Sequence, residues 1–320
     1  MANPEWELPP NSTGFLLLGL ENLTTFQSLL FLIFLLVYLV TMAGNILIVV
    51  LVILDQHFHT PMYFFLGNLS FLETCYSTNI LPKMLAGLLG GSRRISRSSC
   101  LTQWFFFGCL GGTECYLLSV MSYDRYLAIC KPLHYAKIMN IKACIQLAAA
   151  SWLNGFVETS VFFVFMVRLA FCGSRKIDHY FCESLTLIKL SCGNTRAVEI
   201  MSFVIVVIFT FPPFLLTVIS YVCIIAAILR IPSSTGRKKA FSTCSSHLIV
   251  VSIFYGSIMF VYLLPKVEAL RDLDKVFSLL YTALPPLVNP FLYTLRNQEV
   301  KKAVRKILAR FVAFKRNETK

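Results

Sequence analysis

The chain has 320 residues, of which 57% are hydrophobic and only 14% charged, a composition far from that of soluble domains. A water-soluble enzyme does not fit that balance. Neither does a nucleic-acid binder, because a formal charge of +13 has no matching polar surface to occupy.

In chain order, seven apolar stretches are long enough to cross a bilayer, which takes roughly 20 helical residues because every backbone amide must be bonded internally. They fall at 26–54, 61–88, 99–130, 142–168, 197–229, 239–264 and 273–295. Spanning strands do not fit, since a barrel shows alternating segments of about ten residues. The expectation is an all-α membrane protein: an outer tail at 1–25, a seven-helix bundle at 26–295, and a short amphipathic cytoplasmic helix with its tail at 296–320.

The opening stretch carries Glu5, Glu7 and Glu21, and no Lys or Arg precedes Lys83, so the basic start of a removable signal peptide is missing. Asn11-Ser12-Thr13 and Asn22-Leu23-Thr24 are glycosylation sequons in this tail. Asn11 is the expected site, Asn22 lying close to the membrane. The triplets at Asn68 and Asn317 fall in a span and in the cytosolic tail and are chance matches.

Seven crossings put the termini on opposite sides. On the C-terminal side, 17 of the 29 basic residues stand beside four acids; twelve basic residues and nine acids fall on the other side. The positive-inside rule places the C-terminus in the cytosol and the N-terminus outside, at the plasma membrane. The basic excess then faces anionic lipid or a cytosolic partner rather than nucleic acid. Cys172, Cys182 and Cys192 crowd the outer 169–196 loop, and Cys100 starts span three at the same face. An oxidising compartment permits disulfides there, and four cysteines allow three pairings.

Catalytic signatures are missing: there is no phosphate-binding Gly loop, no paired His on a helix, no Cys-x-x-Cys, and nothing that asks for a cofactor. His57 and His59 belong to a short solvated loop. Ionisable residues inside spans are functional candidates, because burying a charge costs at least a few kcal/mol. Three acids qualify: Glu73, Glu114 and Glu158. Glu73 and Glu114, in spans two and three, need a cation or a shared proton if they meet, or else hydrogen bonds from Ser, Asn or water. Arg125 ends span three beside Asp124, as a functional charge or as a side chain snorkelling to the interface.

The segment MSYDRYLAIC at 121–130 resembles the Asp-Arg-Tyr signature of rhodopsin-like G-protein-coupled receptors, in its olfactory receptor form. Gly44-Asn45, HTPMYFFLGNLS at 59–70, LPKML at 81–85, KAFSTCSSH at 239–247 and PPLVNPFLYTLRN at 285–297 match in the same order, so the resemblance covers nearly the whole chain. It implies an odorant receptor that takes a small, mostly hydrophobic volatile molecule into an outer-half pocket. It further implies activation of a stimulatory, olfactory-type Gs heterotrimeric G protein, which raises cyclic AMP, with no bond broken. The disulfides implied are Cys100–Cys182 and Cys172–Cys192. The chain departs from the pattern at Glu73, where Asp is frequent, and at Ser122 and Leu127, where Ala and Val are.

At 1.5 Å per residue, Phe107 lies about 27 Å and Gly111 about 21 Å above Arg125 along span three. One pocket wall is therefore expected from Phe107, Gly108, Gly111 and Gly112; the glycines either leave room for a ligand or let helices pack closely. By matching family positions, the opposing walls are Ile205, Val206 and Phe209 of span five, Tyr255, Ile258, Met259 and Tyr262 of span six, and Leu279 of span seven. Tyr255 or Tyr262 would orient a hydroxyl or carbonyl. Phe107 stands where amine receptors of the superfamily carry an Asp, which implies neutral odorants.

The resemblance also implies an activation switch near the cytosol, made by Asp124, Arg125, Tyr126, Tyr221, His247, Asn289, Pro290 and Tyr293. Pro285-Pro286 and Pro290 remove backbone donors and mark hinge-like sites. Val300, Val304, Ile307, Leu308 and Phe311 recur at helical spacing among Lys and Arg, the pattern of an interfacial helix. With Lys131, Lys137, Arg237, Lys238 and Lys239 it would frame the G-protein docking surface. The expected partners are thus odorant, G protein and membrane lipid, and no nucleic acid. The rival reading, a transporter or channel, would need polar residues through the depth of several spans.

Overall fold

Seven helical segments follow the seven apolar stretches in the computed structural model, which describes residues 14–19, 26–91, 93–172, 175–263, 271–296, 300, 302 and 305. They are α1 (Gln27–Leu54), α2 (Pro61–Leu88), α3 (Arg97–Cys130), α4 (Ile141–Met166), α5 (Arg196–Leu229), α6 (Ser234–Leu263) and α7, in two pieces (Arg271–Thr282 and Leu284–Arg296). The largest difference from the expected bounds is α6, which starts at Ser234 rather than 239. Asn11, the side chains of Lys239, Tyr262 and Tyr293, and most of the 297–312 stripe lie outside the described residues. Within that stripe Val300, Lys302 and Arg305 are helical, Val300 buried and the two basic residues exposed.

Local chemistry sets the starts. Pro61 opens α2, where its missing N–H is one of the orphans of a first turn. Ser96 caps α3 by accepting from the Ser99 N–H at 3.1 Å, and Asn140 caps α4 by accepting from Ala143 at 3.0 Å. Along α1 the exposed faces are Leu29, Leu32, Ile33, Leu36 and Leu39, a surface suited to lipid and not to water. Among the described residues, α1, α3, α4, α5 and the Cys244–Val261 part of α6 are each long and apolar enough to cross on their own. Polar residues from Asn68 to Asn79 dilute α2, and α7 is divided into pieces of 12 and 13 residues.

Prolines account for the irregular turns. In α5 the five residues Val206–Thr210 form a π-helical turn just ahead of Pro212-Pro213, which widens the helix where two amide donors are lost. The break in α7 at Ala283 comes just before Pro285-Pro286. Pro290, expected to be a second hinge, lies inside an unbroken helix. Its ring packs where Gly44 leaves space: a Cβ at Gly44 would stand 2.6 Å from Pro290 Cβ. Next to it, Asn45 Nδ2 donates to the Pro286 carbonyl at 3.0 Å and to that of Thr41 at 3.1 Å. The Gly44-Asn45 pair thereby joins α1 to α7.

One end of the bundle carries a small roof of strands that the sequence reading did not foresee. Phe15–Leu17 pairs antiparallel with Arg94–Ile95 and parallel with Lys176–Ile177, and Ala170–Phe171 pairs with Ser191–Cys192. Phe15, Leu16 and Leu17 are at most 5% exposed, so this part of the supposed free tail is a structural layer. Beneath it, disulfides join Cys100 to Cys182 and Cys172 to Cys192. Trp104, Phe162 and Met166 form a cluster below that roof, while the main core runs from Ile48 through Leu69 and Leu117 to Phe254.

Candidate ligand cavity and coupling site

Below the roof, α3, α4, α5, α6 and α7 enclose a cavity of about 120 Å³. An engineered cavity of about 150 Å³ takes benzene, so the space suits a small organic molecule. Phe107, Gly108, Gly111 and Gly112 contribute the α3 wall, Ile205 and Val206 the α5 wall, and Ile258 part of the α6 wall. Seven of the twelve expected positions therefore meet here.

The glycines divide between the two roles open to them. A Cβ at Gly111 would meet nothing within 4 Å, so this position faces open space. At Gly108 it would come within 2.8 Å of Thr159 Cγ2, and at Gly112 within 3.0 Å of both Gly155 Cα and Glu158 Oε2. Those two glycines let α4 approach α3.

Other expected residues stand back from the cavity. Tyr255 is buried, and its hydroxyl donates to the Cys115 carbonyl at 2.8 Å, so its donor is committed to α3. Phe209 packs on the cluster under the roof and Leu279 on the main core. Met259 is half-buried and not in the wall. In their place the wall includes Tyr76, Trp104 and Tyr281, and the polar residues Ser184, Ser202 and Thr210. Phe107 is held among Phe181, Tyr76 and Tyr281, with ring centroids 4.7, 5.3 and 6.1 Å away. Lys275 Nζ to Asp178 Oδ1, at 2.5 Å, ties α7 to the loop above. Glu158 also lines the cavity; its presence inside a span was visible in the sequence, its direction was not.

Midway through the bundle, Asn289 Nδ2 donates to Glu73 Oε1. Glu73, Glu114, Asn45 and Asn289 are all fully buried. Glu73 Oε2, both Glu114 carboxyl oxygens and the Oδ1 atoms of Asn45 and Asn289 have no hydrogen-bond partner among the described residues. Among the described residues no group of three or more His, Cys, Asp or Glu is placed to hold a metal ion.

At the opposite end from the roof, Asp124 Oδ1 accepts from the Tyr135 hydroxyl at 2.7 Å. Burial, reinforced by that bond, pushes the Tyr135 phenol up from its usual range, which keeps it a donor. Arg125 is half-buried with its guanidinium against the Met62 sulfur, reaching from α3 to α2. The Tyr221 hydroxyl and His247 Nδ1 are 2.6 Å apart, joining α5 to α6. Tyr126 packs on Tyr221, Ile224 and Cys244. Asp124, Arg125, Tyr126, Tyr221 and His247 thus lie at one end, whereas Asn289 and Pro290 belong to the bundle centre.

The family profile described as "Olfactory receptor" matches residues 34–310. Olfactory receptor 6F1 of Homo sapiens is 51% identical over 292 residues, covering 91% of this chain and 95% of that protein. Olfactory receptor 5AP2 of Mus musculus is 46% identical over 306 residues, 94% and 95% of the two chains. Olfactory receptor 5B21 of Mus musculus is 47% identical over 299 residues, 93% and 94%. Matched along most of its length, and carrying a cavity at one end of seven helices and the Asp-Arg-Tyr cluster at the other, the chain belongs to the olfactory receptor family, seven-helix membrane receptors that detect odorants through a G protein and are not enzymes.

Proposed function

We propose that a small, mostly hydrophobic odorant binds in the cavity below the roof and that its occupancy is transmitted to a Gs-type G protein, raising cyclic AMP. The N-terminus faces outside the plasma membrane and the C-terminus the cytosol, where Lys131, Lys137 and the basic residues after α5 meet the partner. One observation carries the reading: Gly111 opens onto a cavity with walls from α3 through α7.

The mechanism requires that the odorant bind the active arrangement more tightly than the resting one. Ligand contact with Ile258 on α6 and Tyr281 on α7 acts on two helices with internal ties to the far end. Helix α6 carries two such ties, Tyr255 to the Cys115 carbonyl of α3 and His247 to Tyr221 of α5. On α7 the break at Ala283, close to Tyr281, is where the outer piece can tilt while Asn289 stays bonded to Glu73. The orphaned oxygens of Glu73 and Glu114 support a second site there, for a cation or a shared proton.

Cyclic AMP measured in cells expressing the chain against an odorant panel tests the proposal. Gly111→Leu, which fills the cavity, and Arg125→Ala, which removes the charge at the coupling end, should each abolish responses at equal surface expression. Responses that survive both substitutions would overturn it.

A further inference from the structure

Among the residues lining the cavity, Glu158 carries the one carboxyl. It projects from α4 over Gly112, where an added Cβ would lie 3.0 Å from its Oε2, so the missing side chain at Gly112 is what lets the carboxyl reach inward. Glu158 is half-buried, and among the described residues it has no hydrogen-bond partner. The wall around it is otherwise made of aromatic rings, aliphatic side chains and a few hydroxyls. A lone carboxyl in such surroundings is costly unless something bonds it.

We propose that Glu158 is the polar anchor of the cavity and that it selects small ligands with an apolar body and one O–H or N–H donor, namely alcohols, phenols and primary amines. This deepens the odorant-binding reading of the same cavity and rests on it. A carboxyl accepts a hydrogen bond whether or not it carries a proton, so a donor head is served in either state. An ether or ketone has no donor and meets the ionised carboxylate with lone pairs only, so the preference belongs to the ionised form and the probes are compared at a pH where it is populated. A protonated carboxyl would donate to their oxygens as well. The Tyr255 hydroxyl, already bonded to Cys115, does not compete as the orienting group. Phe107 leaves the α3 wall without an acid, but Glu158 supplies one from α4, so the expectation of neutral odorants over amines does not carry over to the whole cavity.

The test is ligand-induced thermal stabilisation of the purified, detergent-solubilised full chain, with four probes matched in size to benzene: pentan-1-ol, pentan-1-amine, 1-methoxybutane and pentan-2-one. The alcohol and amine should bind at about tenfold lower concentration than the ether and ketone, as one additional hydrogen bond allows. Glu158→Leu should erase that preference. Glu158→Gln, nearly isosteric, should keep the alcohol within a few-fold and admit the ether and ketone. Stabilisation by no probe, or stabilisation unchanged in Gly111→Leu, sinks the cavity reading and this inference with it. Stabilisation lost in Gly111→Leu, with the four probes ranking equally or the ranking surviving Glu158→Leu, sinks the anchor alone.

Discussion

Two helical glycines, Gly111 on α3 and Gly155 on α4, should respond in opposite ways to the same added methyl group. At Gly155 on α4 a Cβ would stand 2.5 Å from the Cys109 carbonyl oxygen, the Thr113 backbone nitrogen and Thr113 Oγ1. Two of those atoms are α3 backbone, so rotating a side chain cannot relieve the contact and the helices must part. Parting them also loosens the approach at Gly108 and Gly112, which face the same α4 surface. Forcing an extra methyl into a packed core costs about 1–3 kcal/mol. At Gly111 the same methyl meets nothing within 4 Å. Both variants share the helix-propensity gain of Ala over Gly, about 0.5–1 kcal/mol, so comparing them cancels it. The expected result is Gly111→Ala at or above the parent and Gly155→Ala below it, with a gap of about 1–3 kcal/mol from overpacking. Thermal unfolding of the purified chain measures this, at roughly 2–4 °C per kcal/mol for chains of a few hundred residues. Equal midpoints, or Gly111→Ala as the less stable variant, would refute the packing argument.

Three further outcomes are expected. The Cys100–Cys182 link closes an 82-residue separation and Cys172–Cys192 one of 20, so Cys100→Ser should destabilise more than Cys172→Ser, by about 1 kcal/mol from loop closure, in chemical denaturation. Asn45→Leu strips the Pro286 carbonyl of its donor at the α1–α7 contact and should cost about 1–3 kcal/mol, read as a lower unfolding midpoint. Tyr135→Phe leaves Asp124 without its hydroxyl donor; unstimulated cyclic AMP should rise, and an unchanged basal level would detach this bond from the switch.

The membrane helices were legible because a bilayer demands long apolar runs, and Pro285-Pro286 signalled the break in α7, whereas the π-helical turn ahead of Pro212-Pro213 in α5 was not anticipated. Which proline interrupts was not legible. Pro290 stays within its helix because Gly44 on another helix receives its ring, and a one-dimensional reading does not show that neighbour. The same holds for Tyr255: helical spacing gives its face, but the Cys115 carbonyl decides where its hydroxyl goes. Glu158 was conspicuous as an acid within a span, yet only the close α3–α4 approach aims it at the cavity. The buried Phe15–Leu17 strand left no trace, since three apolar residues carry no period.

That strand has a consequence for how the protein is made. Its partners lie at Arg94–Ile95, about a quarter of the polypeptide downstream, and at Lys176–Ile177, about half, so Phe15–Leu17 is flanked on both sides only after α4 has been made. Pairing of such distant segments is slow and comes late in folding. Until then the apolar Phe15–Leu17 segment lacks its second partner, so a complete roof requires the chain to have passed the fourth helix.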